Sequence, residues 1–116
     1  MRQMPSLKPR VNKKDSISKD DVCYLISKTI AKDELEQEIE VEEERQVFCA
    51  PLSIGQREFS AAFVNGLKPE MVLVIDHDEY DGEEKVVYHD KQYTIYRTFT
   101  RDDGDIELYC TLKVGG

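Results

Sequence analysis

The residue types best suited to chemistry occur in one short run, Asp76-His77-Asp78-Glu79, and at a second histidine, His89. Imidazole and carboxylate groups are common metal ligands, but a metal site needs them to converge at fixed distances. Neighbouring residues of a strand point to opposite faces, so this run is expected to be a polar strand end. A second run, Asp102-Asp103-Gly104-Asp105, lacks the later glutamate of a calcium loop and predicts a turn. We therefore expect no metal site.

Catalytic patterns are otherwise missing from the sequence, which contains neither a glycine-rich phosphate loop nor a nucleophile elbow. The three cysteines are widely spaced and form no CxxC pair, so they are expected to be reduced and packed as small hydrophobes. Arg97 is expected to form a charge-assisted pair with an acid, for example Asp76 or Glu107. These observations predict no enzymatic activity and no cofactor.

Charge is distributed unevenly along the chain. The 116 residues carry a formal net charge of -8. This argues against general nucleic-acid binding, which requires Lys and Arg to replace the counterions around phosphates. It suits a soluble protein, or a partner with a basic surface. No apolar run approaches the roughly 20 residues of a membrane span, and no signal peptide is visible at the N-terminus.

The basic and acidic stretches supply the candidate residues for contacts with partners. Residues 1–14 contain five basic residues and no acid, and they predict a flexible arm over 1–20. The arm either stays solvated or orders on an acidic surface of another copy. Residues 32–45 are densely acidic, and their carboxylates either block edge-to-edge strand pairing or present a negative surface to a partner or a passage. The candidates are Lys8, Arg10, Lys13, Lys14, Glu36, Glu38, Glu40, Glu42 and Arg57.

Alternating apolar and polar residues predict an antiparallel sheet over the second half of the chain. One parity of residues 106–112 is apolar, and one face of the preceding strand carries Tyr93, Ile95 and Phe99. Ile39 and Val41 share a parity, which predicts another strand running to Cys49, with carboxylates on its other face. Further strands are predicted at residues 21–30, 71–75, 85–89 and 92–100, the last two joined by an Asp90-Lys91 turn.

One helix is predicted, over residues 53–65. Ser53 and Gln56 have the spacing of a capping box, and Gly66 supplies a left-handed stop. Phe59 and Phe63 lie on one face at helical spacing, so they are expected to be core residues where the helix packs on the sheet.

Six segments have a distinctive combination of residues in a fixed order. They are Arg45-Gln46-Val47-Phe48-Cys49, Ser53-Ile54-Gly55-Gln56-Arg57-Glu58-Phe59, Gly66-Leu67-Lys68-Pro69-Glu70, Glu79-Tyr80-Asp81-Gly82-Glu83, Tyr93-Thr94-Ile95-Tyr96-Arg97-Thr98 and Ile106-Glu107-Leu108-Tyr109. In order and spacing these segments resemble the head–tail joining proteins of tailed bacteriophages and prophages, also called head-closure, stopper or adaptor proteins. The resemblance covers about residues 21–114. The arm has no counterpart, and the Asp90-Lys91 turn lacks the glycine expected there.

The resemblance implies a mainly β fold, with a small antiparallel β-barrel or rolled sheet of about six strands. One short helix (about 53–65) would be inserted in a connection, and 21–114 would form a single domain. It also implies a virion protein, assembled in the host cytoplasm as a ring below the portal. The ring would close the DNA-filled head and receive the tail. Its partners would be the portal or adaptor and tail proteins, and no catalytic residue is carried over.

Two features fit that implied role, and other functions stay open. An acidic lumen would let DNA pass without specific binding, although salt screens its field beyond about 10 Å. A basic arm on an acidic body would let subunits latch to their neighbours. Strand–strand–helix–strand order with a terminal Gly115-Gly116 also resembles ubiquitin-like carriers, although the helix is short and too many strands follow it. Two further alternatives are an acidic cytosolic interaction module and a DNA-mimicking inhibitor, which would use the acidic block to imitate phosphates.

Overall fold

The computed structural model describes residues 17–112, which form a closed barrel of six antiparallel strands with one short α-helix. The elements are β1 (Asp21–Lys32), β2 (Glu38–Leu52), α1 (Gln56–Val64), β3 (Pro69–Asp76), a 3-10 turn (His77–Glu79), β4 (Lys85–Tyr88), β5 (Lys91–Thr100) and β6 (Asp105–Leu112). Around the wall the order is β1-β2-β3-β6-β5-β4, which closes on β1. The predicted mainly β fold, with six strands and a helix in a connection, is confirmed. The arm residues Lys8, Arg10, Lys13 and Lys14, and Gly115-Gly116, lie outside the described residues.

The barrel interior is filled by aliphatic side chains, two tyrosines and all three cysteines. Its buried residues are Cys23, Leu25, Val47, Cys49, Leu73, Ile75, Val86, Tyr88, Tyr93, Ile106, Leu108 and Cys110. The cysteines are free and buried, as the sequence predicted. Burial raises the pKa of the Cys110 thiol to about 12, because a thiolate is poorly solvated there. All three side chains pack as small hydrophobic groups inside the barrel.

A second, smaller apolar cluster lies on the outside of the barrel. Ala50, Val72 and Val74 are buried there. They are covered in part by Ile17 and by the turn between β2 and α1. Lys19 Nζ lies 3.0 Å from the carboxylate of buried Asp105. Residues 17–20, which fall within the predicted arm, thus contact the barrel.

A β-bulge in β5 changes which residues face the core. Ile95 pairs with Cys110 and Arg97 pairs with Tyr109, so Tyr96 is an extra residue opposite one step of β6. A bulge of this kind shifts the alternation by one. Phe99 therefore faces outward and is 53% exposed. Its predicted place on one face with Tyr93 and Ile95 is wrong.

The turn between β4 and β5 also differs from the prediction. Tyr88 pairs with Lys91, so the two turn residues are His89 and Asp90 rather than Asp90 and Lys91. Both have left-handed backbone conformations, with φ of 50° and 65°. Two successive left-handed residues match the tight hairpin turns that suit the twist of paired strands.

Helix α1 is shorter and more exposed than predicted. It begins after Gly55 without a side-chain cap hydrogen bond, so the predicted capping box does not form. Its end is as predicted, because Gly66 has φ 81° and the following N–H bonds back to the Ala62 carbonyl at 2.9 Å. Ala62 is its buried residue, whereas Phe59 and Phe63 stack on each other at the surface, 40% and 66% exposed. Their predicted core role is wrong.

Candidate functional site

Two strands are longer than the barrel requires and form a projection. The pairing of β1 with β2 runs from Asp21 opposite Cys49 to Lys32 opposite Glu38. By contrast, β1 pairs with β4 only over residues 24–26, and β2 pairs with β3 only over residues 50–52. Residues 27–44 therefore extend beyond the barrel as a two-stranded hairpin. We call this hairpin the ribbon.

The tip of the ribbon is ordered by one carboxylate. Asp33 Oδ1 accepts hydrogen bonds from the N–H groups of Leu35 and Gln37, both at 2.9 Å. The backbone N–H of Asp33 also donates to the Gln37 carbonyl at 3.0 Å. Glu36 is exposed at the tip with φ 66°, a conformation that is strained for a residue other than glycine. The candidate Glu36 thus belongs to a defined turn.

The outer face of the ribbon carries the predicted row of carboxylates. Side chains of Glu38, Glu40 and Glu42 are exposed and share one face, because they alternate along β2. Lys28 lies opposite Glu42 in the register, and its Nζ is 4.0 Å from the Glu40 carboxylate. Lys32 lies opposite Glu38. The structure therefore brings three of the candidate residues together on one surface.

The acidic charge of the ribbon is not neutralised from within. Residues 27–44 contain eight acids and two lysines, a net charge of -6. Exposed ion pairs contribute only about 0–1 kcal/mol, so the two lysines cannot hold the carboxylates in fixed pairs. At physiological salt the field of such a surface extends about 8 Å into the solvent. The ribbon is consequently a negative surface for whatever lies beside it.

Arg45 holds the base of the ribbon on the rim of the barrel. Its guanidinium donates to the Glu83 carboxylate at 2.8 Å, to the Glu79 carboxylate at 3.0 Å and to the Glu79 carbonyl at 2.6 Å. Burial disfavours a charge on Glu83. However, the Asp81 N–H and the Arg45 guanidinium outweigh burial and lower the pKa of Glu83. The rim is therefore a fixed ionic contact between β2 and the connection that precedes β4.

A second ionic contact holds α1 on the barrel. Glu58 accepts hydrogen bonds from the Tyr96 hydroxyl at 2.6 Å and from the Arg97 guanidinium. These donors, Arg97 foremost, lower the pKa of Glu58. The β5 bulge makes this possible, because it places Tyr96 and Arg97 on the same outward side. Arg97 thus forms the predicted charge-assisted pair, but its partner is Glu58 rather than the suggested Asp76 or Glu107.

The contact at Arg97 continues across β6. The Arg97 guanidinium lies 3.8 Å from the centre of the Tyr109 ring, a cation–π geometry. The Tyr109 hydroxyl donates to Glu107 at 2.6 Å, and Arg101 binds the other Glu107 oxygen at 2.8 Å and Asp103 at 3.1 Å. Burial raises the pKa of Tyr109 to about 12. Each of these groups has a partner, so the network fixes the positions of β5 and β6 at this side of the barrel.

The remaining sequence candidates are not drawn into a site. Arg57 is exposed on α1, which packs mainly against β3, so it is not brought to the ribbon. His89 lies 3.1 Å from Asp21, which also accepts the Tyr88 hydroxyl at 2.6 Å. Within residues 17–112 no group of three or more His, Cys, Asp or Glu side chains is placed to hold a metal ion.

The surface carries apolar residues that sequence reasoning assigned to the interior or overlooked. All four phenylalanines, Phe48, Phe59, Phe63 and Phe99, are exposed, and Val64 at the end of α1 is 84% exposed. Phenylalanine is usually among the buried residue types, and aromatic residues are enriched at interfaces. The bulge in β5 explains why Phe99 is exposed, but no feature of the sequence indicates that bulge.

The sequence was compared with protein-family models and with curated proteins. A scan against protein-family models and a search of curated proteins both return no match. In the described part of the chain, no helix is long and apolar enough to cross a membrane. Function is therefore inferred from the barrel, the ribbon and the six sequence segments.

Proposed function

We propose that this protein is a structural subunit of a phage head–tail connector, forming a ring below the portal that closes the DNA-filled head and joins it to the tail. The fold that the resemblance implied is the fold observed, a small β-barrel with one helix in a connection. The role itself is supported by the six segments and by the shape and charge of the ribbon.

The observation that carries the proposal is that segments far apart in sequence contact each other in the structure. Arg45 of the first segment binds Glu83 of the fourth. Glu58 of the second segment binds Tyr96 and Arg97 of the fifth. The fifth segment contacts the sixth through a guanidinium–aromatic stack. The residues that resemble the phage proteins are therefore the ones that hold the ribbon and the helix to the barrel.

The ribbon supports the proposal through its charge. A ring around a DNA passage must not bind phosphates tightly, because each bound phosphate would hold the DNA by counterion release. A surface of net charge -6 on the ribbon repels phosphates at short range and has no affinity for them. We infer that the outer face of the ribbon, with Glu38, Glu40 and Glu42, lies toward the passage or toward a basic partner.

The role is tested by deleting the gene in the phage or prophage that encodes it. We expect separate tails and heads that fail to retain their DNA in electron micrographs of the lysate, and normal tailed particles after complementation. Tailed, infectious particles without complementation would refute the role. Deleting Gly115 and Gly116 separates the ubiquitin-like alternative, because a carrier would lose adenylation whereas a connector subunit would still complement.

The charge of the ribbon is tested in the same complementation assay. Replacing Glu38, Glu40 and Glu42 by lysine should lower the yield of assembled particles, and the particles that form should retain their DNA or fail to eject it. Glutamine at the same positions is the matched control, because it removes the negative charge without adding attraction for phosphate. Normal ejection by the lysine variant would show that these residues do not face DNA.

A further inference from the structure

The outer edge of the ribbon is a strand edge with no neighbour in the described structure. Over Glu38–Glu44, β2 pairs with β1 on one side only, because its pairing with β3 begins at Ala50. The N–H and C=O groups of an unpaired edge are a template for a further strand. Along this edge, the carboxylates of Glu38, Glu40, Glu42 and Glu44 point to one face, and Ile39, Val41 and Glu43 point to the other.

The N-terminal stretch has the complementary pattern. In residues 7–14, even positions carry Lys8, Arg10, Asn12 and Lys14, and odd positions carry Leu7, Pro9, Val11 and Lys13. As a strand, this segment would present basic groups on one face and apolar groups on the other. Pro9 also has odd parity. If the backbone groups of the even residues form the hydrogen bonds to β2, the nitrogen of Pro9 faces solvent. Proline suits this position on an edge strand, because its nitrogen has no hydrogen to donate.

The position of Ile17 indicates whether residues 7–14 pair with β2 of their own copy or with β2 of a second copy. Ile17 packs beside Ala50, at the barrel end of β2. If residues 7–14 ran from there along their own β2, they would be parallel to it, since both strands would run from the ribbon tip to the barrel. A second copy has no such restriction and can pair antiparallel, which is the more stable arrangement per residue.

We propose that residues 7–14 of one copy add as a strand to the Glu38–Glu44 edge of a second copy. Lys8, Arg10 and Lys14 then face the carboxylates of the outer face, and Leu7 and Val11 lie over Ile39 and Val41. Residues 1–14 carry a charge of +5, which leaves -13 for the rest of the chain when taken from the total of -8. Each copy gives one arm and accepts one, so the contact is heterologous and closes a ring when the rotation permits.

The inference rests on the proposed function for the ring, but the pairing is testable with the purified full-length protein. One variant, Lys8→Glu with Arg10→Glu, reverses the arm. The other, Glu40→Lys with Glu42→Lys, reverses the ribbon. We expect each alone to weaken self-association in sedimentation velocity by about tenfold or more, equivalent to about 1.4 kcal/mol. Mixing the two should restore association, because the two reversed positions of the arm then meet the two reversed positions of the ribbon with opposite charge.

A second measurement covers weak association. Zero-length cross-linking of a mixture of isotopically light and heavy protein should join arm lysines to ribbon glutamates in peptides of mixed isotope. Single reversals at Lys14 and Glu42 should reduce these cross-links, whereas Lys13→Glu and Glu43→Lys are controls of opposite parity and should reduce them less. Circular dichroism verifies that each variant folds, as expected for changes outside the barrel.

Three results would overturn the inference. The first is that mixing the two reversed variants fails to restore association. The second is that the wild-type protein gives no cross-links of mixed isotope. The third is that arm amides are protected from hydrogen exchange although the protein stays monomeric. The last would mean that the arm covers its own ribbon. None of these results depends on phage assembly. Normal tailed particles after gene deletion would therefore refute the connector role but would leave the contact between copies unaffected.

Discussion

The attachment of α1 to the barrel depends on one carboxylate, and replacing Glu58 by alanine tests this directly. The helix buries only Ala62, so apolar packing contributes little to its position. Glu58 is 16% exposed and accepts charge-assisted hydrogen bonds from Arg97 and Tyr96. Hydrogen bonds to charged groups contribute about 1.5–3 kcal/mol, and Arg97 is 43% exposed, which places the loss near the lower end. We expect Glu58→Ala to lower the free energy of unfolding by about 2 kcal/mol.

The measurement combines urea unfolding with hydrogen exchange. Unfolding gives the total loss, and exchange should show that α1 amides lose protection before those of the barrel strands, because local opening precedes global unfolding. Arg57→Ala is the matched control. It removes an exposed neighbouring charge and should change stability by no more than about 0.5 kcal/mol. Equal effects of the two substitutions, or uniform loss of protection over α1 and the barrel, would refute the reasoning.

Three further predictions follow from the ionic contacts. Because the folded-state pKa values of Glu58 and Glu83 lie below the ordinary glutamate value of 4.5, their stabilisation is present above pH 4.5 and is lost as pH falls through the folded-state pKa. Acid titration of stability should therefore flatten in Glu58→Gln, and an unchanged curve would contradict the assignment. Arg45→Ala should lower the free energy of unfolding, measured in urea, by about 2–3 kcal/mol, because it leaves a buried carboxylate without its cation. It should also raise the pKa of Glu83 in an NMR titration. An unchanged pKa of Glu83 would count against the rim contact. Asp33→Ala should cost about 1 kcal/mol and speed exchange at the ribbon tip alone, whereas faster exchange in the barrel would mean that the ribbon is not a separate unit.

Strand positions could be predicted because a strand with one buried face alternates apolar and polar residues along the sequence. The wholly apolar parity of Ile106–Leu112 and the two-sided apolar run at Met71–Ile75 correspond to strands whose inward side chains are buried. The parity of the acidic stretch was also readable, because Ile39 and Val41 mark the face opposite the carboxylates. Local alternation carries this information without any knowledge of strand order.

The contacts that hold the fold together were not readable in the same way. The bulge at Tyr96 keeps the alternation of residue types intact while changing which of them face outward, so it hid the exposure of Phe99 and the partner of Arg97. Glu58 lies 39 positions from Arg97, and no local pattern encodes that distance. Phe59 and Phe63 have the spacing of a core face, but Ala62 is the residue of α1 that is buried, and both phenylalanines stay outside.

The exposure of all four phenylalanines means that salt should act on this protein in two opposite directions. Added salt screens the repulsion between bodies of net charge -8, and kosmotropic salts strengthen apolar association, so contacts through Phe48, Phe59, Phe63 or Phe99 should tighten as ionic strength rises. Contacts between the basic arm and the acidic ribbon should loosen under the same change. The sign of the salt dependence therefore identifies which surface holds two molecules together.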